Sequence, residues 1–141
     1  MPSPTPALVD AGTITLSDTG CTWDGNPGSM PVGPLTLAVR NDTEDFGTFI
    51  LHRVRDDKSW SDGQAAIVAI QGALEIGAEW PEWTFEVSDP VDEATADAGR
   101  DGVIRTAVGP GVYGVVCSAN TSPTGDILTT FLVGPLEVPQ P

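Results

Sequence analysis

Positive charge is scarce in this chain of 141 residues, in which Lys and Arg number 6 and Asp and Glu number 20, for a formal net charge of −14. Proteins that bind nucleic acids neutralise phosphates with Lys and Arg, so the composition excludes a nucleic-acid partner. The same repulsion disfavours anionic membrane surfaces. We interpret the acidity as a contribution to solubility.

Long apolar runs are also missing. No segment approaches the roughly 20 apolar residues that a membrane helix requires, so we expect no membrane-spanning segment. The first ten residues, MPSPTPALVD, lack the basic region and the apolar stretch of a signal peptide. They predict a Pro-rich linker over residues 1–10, followed by one domain over residues 11–141. We expect such a linker to follow a removed export signal or a lipid-anchored cysteine.

Residues that mark catalysis are few. The chain has 1 His, His52, and no G-x-S-x-G sequence that would identify a serine nucleophile. Carboxylates are abundant, but none stands in a context typical of a glycosidase pair. We therefore expect no enzymatic activity and predict His52 to fill a half-buried slot in a strand. A catalytic or pH-sensing role for His52 is the alternative.

Turn-forming residues, by contrast, are plentiful, with Gly 16 and Pro 13, which indicates many short elements. Alternating apolar and polar residues predict strands separated by polar turns. One of them, residues 46–54, is apolar on both faces in its middle and should be central in its sheet. The predicted strands are residues 11–18, 34–41, 46–54, 84–89, 103–108, 112–118 and 127–138.

The segment after residue 54 breaks the strand pattern. Ser59 or Ser61 is a suitable N-cap, and Gly77 is a suitable C-terminal stop. The spacing between them predicts a helix over residues 61–75. Its apolar stripe consists of Ala66, Ile67, Ile70 and Leu74.

Short strands with a single helical excursion predict an all-β protein, a two-sheet Greek-key β-sandwich with one inserted helix. The phrases PVGPLTLAVRN, GVYGVVC and an early CTW, in this order around the helix, resemble the cupredoxin fold. More narrowly, they resemble the copper-free cupredoxin-like domains of exported bacterial proteins. The resemblance covers residues 12–138. It implies a cupredoxin-like sandwich located outside the cytoplasm: secreted, periplasmic or lipid-anchored.

The resemblance can be tested against the copper ligands of the family, which are two His, one Cys and usually a weak axial Met. The first His would follow the NDTED turn, where this chain has Phe46, Gly47 and Thr48. The second His and the Met would lie between Ser118 and Asp126, where neither is present. One His cannot supply two ligands, so we expect no copper and no other cofactor.

The two cysteines, Cys21 and Cys117, are the remaining candidates for metal or redox chemistry. Metal ligation by Cys117 lacks partner residues. Two free thiols are a further possibility. Two cysteines in a small exported domain favour pairing, so we predict a disulfide between Cys21 and Cys117.

Two further segments carry candidate binding residues. The stretch 89–102 is rich in Asp and Glu and is predicted to be a solvated acidic loop, with calcium binding as the alternative. Three of the 4 Trp flank the predicted helix. Of these, Trp80 and Trp83 are candidates for partner binding, because aromatic side chains in loops can anchor a protein or a sugar. In an extended segment the two would face opposite sides, so we expect only one to be exposed.

These observations predict an exported, non-catalytic binding or structural module, monomeric, with an unidentified protein or glycan of the cell envelope as partner. A copper electron-transfer protein is one alternative, and the missing His and Met ligands disfavour it. A hydrolase using surface carboxylates is the other, and it would require a deep pocket with two converging acids.

Overall fold

The computed structural model describes residues 8–25 and 30–140. This part of the chain contains eight strands, one α-helix and one short 3₁₀ helix. The strands are β1 (Val9–Ser17), β2 (Gly20–Trp23), β3 (Gly33–Asn41), β4 (Phe46–Val54), β5 (Ser88–Ala96), β6 (Asp101–Val108), β7 (Gly111–Asn120) and β8 (Ile127–Val138). The helix α1 spans Trp60–Ile76, and the 3₁₀ helix spans Glu82–Glu86.

The strands form two four-stranded sheets. The first sheet has the order β2-β1-β3-β6, and the second sheet has the order β5-β4-β7-β8. The pair β1 and β3 is parallel, and the other neighbouring strands are antiparallel. The predicted two-sheet β-sandwich with one inserted helix is thereby confirmed. None of the helices in the described ranges is long and apolar enough to cross a membrane.

The core lies between the two sheets and is built from alternate residues of the strands, as the period of two in a strand requires. Leu35, Leu37 and Val39, predicted to face the core, are at most 1% exposed. The largest side chains that close the core from the second sheet are Phe49, Leu51, Val115 and Leu136, each at 0% exposure.

β4 is central in the second sheet, between β5 and β7, as its apolar sequence predicts. Phe49 and Leu51 face the first sheet and are fully buried. Ile50 and His52 point to the opposite side, which we call the outer face of the second sheet. The outer face needs apolar residues because α1 covers it, so β4 is apolar on both of its faces.

The helix has well-formed ends. Ser59 is the N-cap, and its side chain and that of Asp62 make reciprocal hydrogen bonds with backbone N–H groups. This capping box satisfies two backbone donors at the start of α1. Gly77 ends α1 in the left-handed conformation, at φ 65°, which glycine adopts without steric cost. α1 extends one residue beyond the predicted 61–75 at each end.

The segment predicted to be an acidic loop, 89–102, is mostly strand. β5 starts at Ser88 and pairs with β4, and β6 starts at Asp101 and pairs with β3. The loop prediction was wrong because β5 is an edge strand whose Asp and Glu side chains project towards solvent. Its pairing with β4 overrides the low strand propensity of those residues.

Three other boundaries differ from the sequence prediction. Residues 84–89, predicted as a strand, begin inside the 3₁₀ helix, and the strand starts only at Ser88. The segment after β1, predicted as a connection, contains β2. β1 starts at Val9, because Val9 pairs with Leu35 of β3, so two residues of the predicted linker belong to the sandwich. Of the rest of that linker, Leu8 directly precedes β1, and residues 1–7 lie outside the described residues.

Candidate functional site

The candidate site lies in the connection between β4 and β5, residues 55–87, which we call the helical insert. β4 and β5 are neighbours in the second sheet, so the helical insert leaves this sheet and returns beside its starting point. On the way it places α1 and the 3₁₀ helix across the outer face. Loops that a rigid scaffold positions in this way commonly carry function.

Trp60, the first residue of α1, fixes the helix to the sheet. Its ring lies against Gly114 of β7 and Gly134 of β8: a Cβ at these positions would lie 2.7 Å and 2.8 Å from atoms of the ring. A glycine inside a strand often marks such a close approach. This contact was not predicted from the sequence, although two glycines in apolar strands were the available signal.

Two further contacts along the helix, one of them polar and one apolar, hold α1 on the sheet. Gln71 donates a hydrogen bond from Nε2 to the backbone carbonyl of Thr130, at 2.6 Å. Gly63, on the first turns of α1, approaches Leu132 of β8. The contacts that hold α1 on the sheet are therefore made with β7 and β8. Other side chains border the space above β4.

A cavity of about 320 Å³ remains between α1, the 3₁₀ helix and the outer face. Three aromatic side chains, Trp60, Trp80 and Phe85, form part of its wall. Apolar residues of α1, of the sheet and of the position just before β5 supply most of the rest: Ile50, Val54, Ala66, Ile67, Ile70, Val87, Val116, Ile127 and Leu132. Three of the four residues in the predicted apolar stripe of α1 line this cavity; the fourth, Leu74, does not.

The ionisable residue in the wall of the cavity is His52. Its Nδ1 lies 3.0 Å from Ser88 Oγ, within hydrogen-bond distance. Burial lowers the pKa of His52, and the carboxylate of Asp89 offsets part of that shift. The imidazole is therefore uncharged at neutral pH.

Asp89 does not complete a catalytic arrangement with this pair. Its carboxylate accepts hydrogen bonds from Arg55, at 2.9 Å in the shortest case, and Arg55 holds the pKa of Asp89 below its usual value. No Asp or Glu is among the residues that line the cavity. The two converging acids that a carboxylate hydrolase needs are therefore not found in this cavity.

The two Trp residues predicted as partner contacts have different environments. Trp80 is half-buried, lines the cavity and stacks on Phe85, with ring centroids 5.9 Å apart. Trp83 is 44% exposed. Exposure of one of the two agrees with expectation, but its structural basis was wrong: the segment after Pro81 is a 3₁₀ helix, not an extended strand. A role in partner binding stays a prediction.

Cys21 and Cys117 are joined in a disulfide, with their Cα atoms 6.4 Å apart. Cys21 lies in β2 of the first sheet and Cys117 in β7 of the second, so the bond links the two sheets across the core. β7 continues past Cys117 to Asn120, two residues beyond the predicted strand end at residue 118. The sulfur of Cys117 is thus engaged in a covalent bond and is not a thiolate ligand.

The positions where copper ligands were sought hold other contacts. Gly47 packs against Asn41, and Thr48 donates a hydrogen bond to Asn120 at 3.1 Å. Within residues 8–25 and 30–140, no three His, Cys, Asp or Glu side chains are grouped so as to hold a metal ion. The acidic residues of 89–102 are spread over β5, the turn that follows it and β6, and Asp101 pairs with Arg40.

No protein-family model matches the sequence, and no curated protein matches it either. Solved structures do match this chain. Auracyanin A, a "blue" copper protein from the green thermophilic photosynthetic bacterium Chloroflexus aurantiacus, is 18% identical over 89% of this chain and 97% of its own, with a TM-score of 0.44. Auracyanin B is 17% identical over 94% of each chain, with a TM-score of 0.40.

A multicopper oxidase is 11% identical over 92% of this chain and 45% of its own, with a TM-score of 0.36. The two-sheet arrangement itself follows from the strand pairing described above. At such low identities and TM-scores the likeness carries nothing about a ligand or an activity.

Proposed function

We propose that the protein is an exported, non-catalytic binding module that holds a small, mainly apolar molecule between α1 and the outer face of the second sheet. The observation that carries this proposal is the apolar cavity of about 320 Å³ beneath the helical insert. Cavities that hold small molecules typically measure about 300–1,000 Å³ and are lined mainly by apolar and aromatic side chains with a few polar groups.

The size of the cavity supports a ligand over a packing defect. Protein interiors contain few voids larger than a water molecule, and an empty apolar cavity lowers stability. On the inner face of the same sheet, by contrast, Phe49, Leu51 and Val115 are fully buried. An apolar ligand would supply the contacts that the outer face lacks.

The absence of an oriented acid beside His52 favours binding over catalysis. Ser88 and His52 are within hydrogen-bond distance, as a nucleophile and its base would be, but Asp89 is engaged by Arg55. Ester hydrolysis by this pair is therefore the competing function. It would be favoured if the protein cleaved p-nitrophenyl butyrate and if Ser88→Ala abolished that cleavage.

Export is supported by the disulfide, because disulfides form and persist in oxidising compartments. A secreted, periplasmic or surface-anchored location would bring the module into contact with envelope components. Trp83, exposed beside the cavity wall formed by Trp80 and Phe85, stays the predicted contact for an envelope protein or glycan. A copper electron-transfer role has no support from the residues at the ligand positions.

The binding proposal can be tested with Nile red, an uncharged apolar dye whose fluorescence rises on leaving water. We expect saturable binding with one site per chain. Ala66 lines the cavity and is 7% exposed, so Ala66→Leu should fill part of the cavity and weaken binding about tenfold, or 1.4 kcal/mol. Val68, on the opposite side of α1, is 65% exposed, and Val68→Leu is the matched control.

Binding without saturation, or equal binding by the two leucine variants, would contradict the proposal. The melting temperature of each variant shows whether it is folded. A cavity-filling substitution at Ala66 should keep or raise the melting temperature, so loss of dye binding would not come from unfolding.

A further inference from the structure

The polar groups of the cavity are unequally available to a ligand. The hydroxyl of Thr84 donates to the carbonyl of Pro81 at 2.6 Å, and the hydroxyl of Ser118 donates to Thr130 Oγ1 at 3.1 Å. The hydroxyl protons of Thr84 and Ser118 are therefore already engaged in hydrogen bonds within the protein. The pair of His52 and Ser88 is a part of the wall that can still recognise a polar group.

The second ring nitrogen of His52 is accessible. Among the described residues Nδ1 is paired with Ser88, and Nε2 has no hydrogen-bond partner. In this part of the chain every side-chain nitrogen or oxygen that is sealed from solvent has a hydrogen-bond partner. Nε2 is therefore not sealed, and because His52 lines the cavity, a ligand atom there can meet it.

The wall carries no fixed charge. None of its residues is Asp, Glu, Lys or Arg, and His52 is uncharged at neutral pH, because burial lowers its pKa. A charged group brought into such a site would lose its hydration without gaining a counterion, which is costly. An anion would also meet the repulsion of a chain with net charge −14.

We infer that the ligand is an uncharged, mainly apolar molecule with one hydrogen-bonding group, and that this group binds at the pair of His52 and Ser88. The apolar body then lies against Trp60, Trp80 and the stripe of α1. This inference rests on the proposed function and adds the chemical class of the ligand. A hydroxyl or carbonyl group meets the requirement, whereas a carboxylate or an ammonium group does not.

Three probes of equal chain length test the inference with the whole protein at pH 7.5: 1-decanol, decanoate and decyltrimethylammonium. 1-Decanol is titrated below its solubility limit and the two charged probes below their micelle concentrations, while the tryptophan fluorescence is followed. We expect 1-decanol to bind at least about tenfold more tightly than either charged probe, because only the charged probes must give up strong hydration. Val68→Ala, on the exposed side of α1, is the control and should leave all three affinities unchanged.

His52→Leu keeps an apolar side chain in the wall but removes the hydrogen bond. It should weaken 1-decanol binding about three- to tenfold, the range for one hydrogen bond. Ser88→Ala, at the edge of the cavity, should weaken it less and serves if His52→Leu does not fold. The same variants should leave Nile red binding within twofold if the dye uses only the apolar body of the cavity.

The outcomes separate the two proposals. If none of the probes and no dye binds, the proposed function and the inference both fail. If the dye binds but decanoate or decyltrimethylammonium binds as tightly as 1-decanol, the inference alone fails. Unchanged binding of 1-decanol by both His52→Leu and Ser88→Ala would also overturn the assignment of its hydroxyl to this pair.

Discussion

The two faces of the second sheet are made by the same strands and have opposite packing. The inner face, with Phe49, Leu51 and Val115, is sealed against the first sheet. The outer face, with Ile50 and Val116, is only half-buried and borders a cavity of about 320 Å³. A sheet closes one face efficiently against another sheet, whereas a single helix touching two of the four strands leaves space over the others. Stability therefore resides on the inner face, and the potential for binding resides on the outer face.

Removal of the disulfide should have the largest effect on stability, because this bond joins the inner face to the first sheet. Its cysteines are 96 residues apart, and a loop of about 100 residues corresponds to about 4.7 kcal/mol in the chain-entropy model. We expect the double variant Cys21→Ala and Cys117→Ala to lose about 4–5 kcal/mol of unfolding free energy in urea.

Uptake of two alkylating groups by the unreduced, denatured wild-type protein would contradict the disulfide itself. A loss below about 1 kcal/mol in the double variant would show that the bond contributes little to the inner face. Nile red binding per folded molecule should remain, because Cys21 and Cys117 do not line the cavity.

Neighbouring residues of β4 provide the next comparison. Leu51 is fully buried on the inner face, so Leu51→Ala should cost about 2–5 kcal/mol of unfolding free energy. Ile50 borders the cavity, where fewer contacts exist to lose, so Ile50→Ala should cost less than half as much. Urea unfolding of both variants measures the difference. Equal losses would show that the outer face is as well packed as the inner face.

The glycines under Trp60 allow a test of helix attachment. A methyl group at Gly114 would lie 2.7 Å from the Trp60 ring, so Gly114→Ala should displace the helix and cost about 1–3 kcal/mol. The control is Gly72→Ala in α1, where an added Cβ meets nothing within 4 Å. It should stabilise the protein by about 0.5–1 kcal/mol, because alanine is the better helix former.

Urea unfolding and the emission of the tryptophans report on both glycine variants. A neutral Gly114→Ala with unchanged emission would mean that Trp60 does not hold the helical insert on the sheet. In that case the boundary of the cavity would depend on Gln71 and on the segment from Trp80 to Phe85.

The smallest expected effect concerns pH and is confined to the outer face. The pKa of His52 is lowered in the folded state from the ordinary value of 6.5. The unfolded chain therefore binds more protons just below that pH, and the unfolding free energy should fall as the pH drops through about 6.5. Asp62 and Asp89, whose pKa values are lowered from 3.8, titrate below this window.

Urea unfolding between pH 7.5 and 5.5 detects this slope. His52→Gln, which keeps polar groups but does not titrate, should flatten it, since the chain has 1 His. An unchanged slope in the variant would place its origin outside the cavity.

The sequence predicted the parts of the fold that periodicity and local signals determine. β8 was expected at 127–138 and spans Ile127–Val138, and the cap residues located α1 to within one residue at each end. β5 was missed because its acidic residues and Pro90 resemble a loop. It forms a strand because it pairs along one side of β4, from which the helical insert separates it in the sequence.

The candidate site was predictable only in part. The apolar stripe and the Trp residues pointed to the helical insert, and pairing by count gave the disulfide. The contact between His52 and Ser88 could not be predicted from the sequence. It depends on the register of β4 with β5, which shifts between Leu51 and His52. A cavity is likewise a property of packing distances, which no pattern of residue types records.

The helical insert leaves β4 and returns to β5, two strands that are adjacent in the same sheet. Its two ends therefore meet where an ordinary hairpin turn would suffice, and the strand order does not depend on what lies between them. The segment is in this sense an exchangeable cassette: another helix of similar length could be grafted at residues 55–87 to reshape the pocket, while the sandwich and its cross-link keep their connectivity.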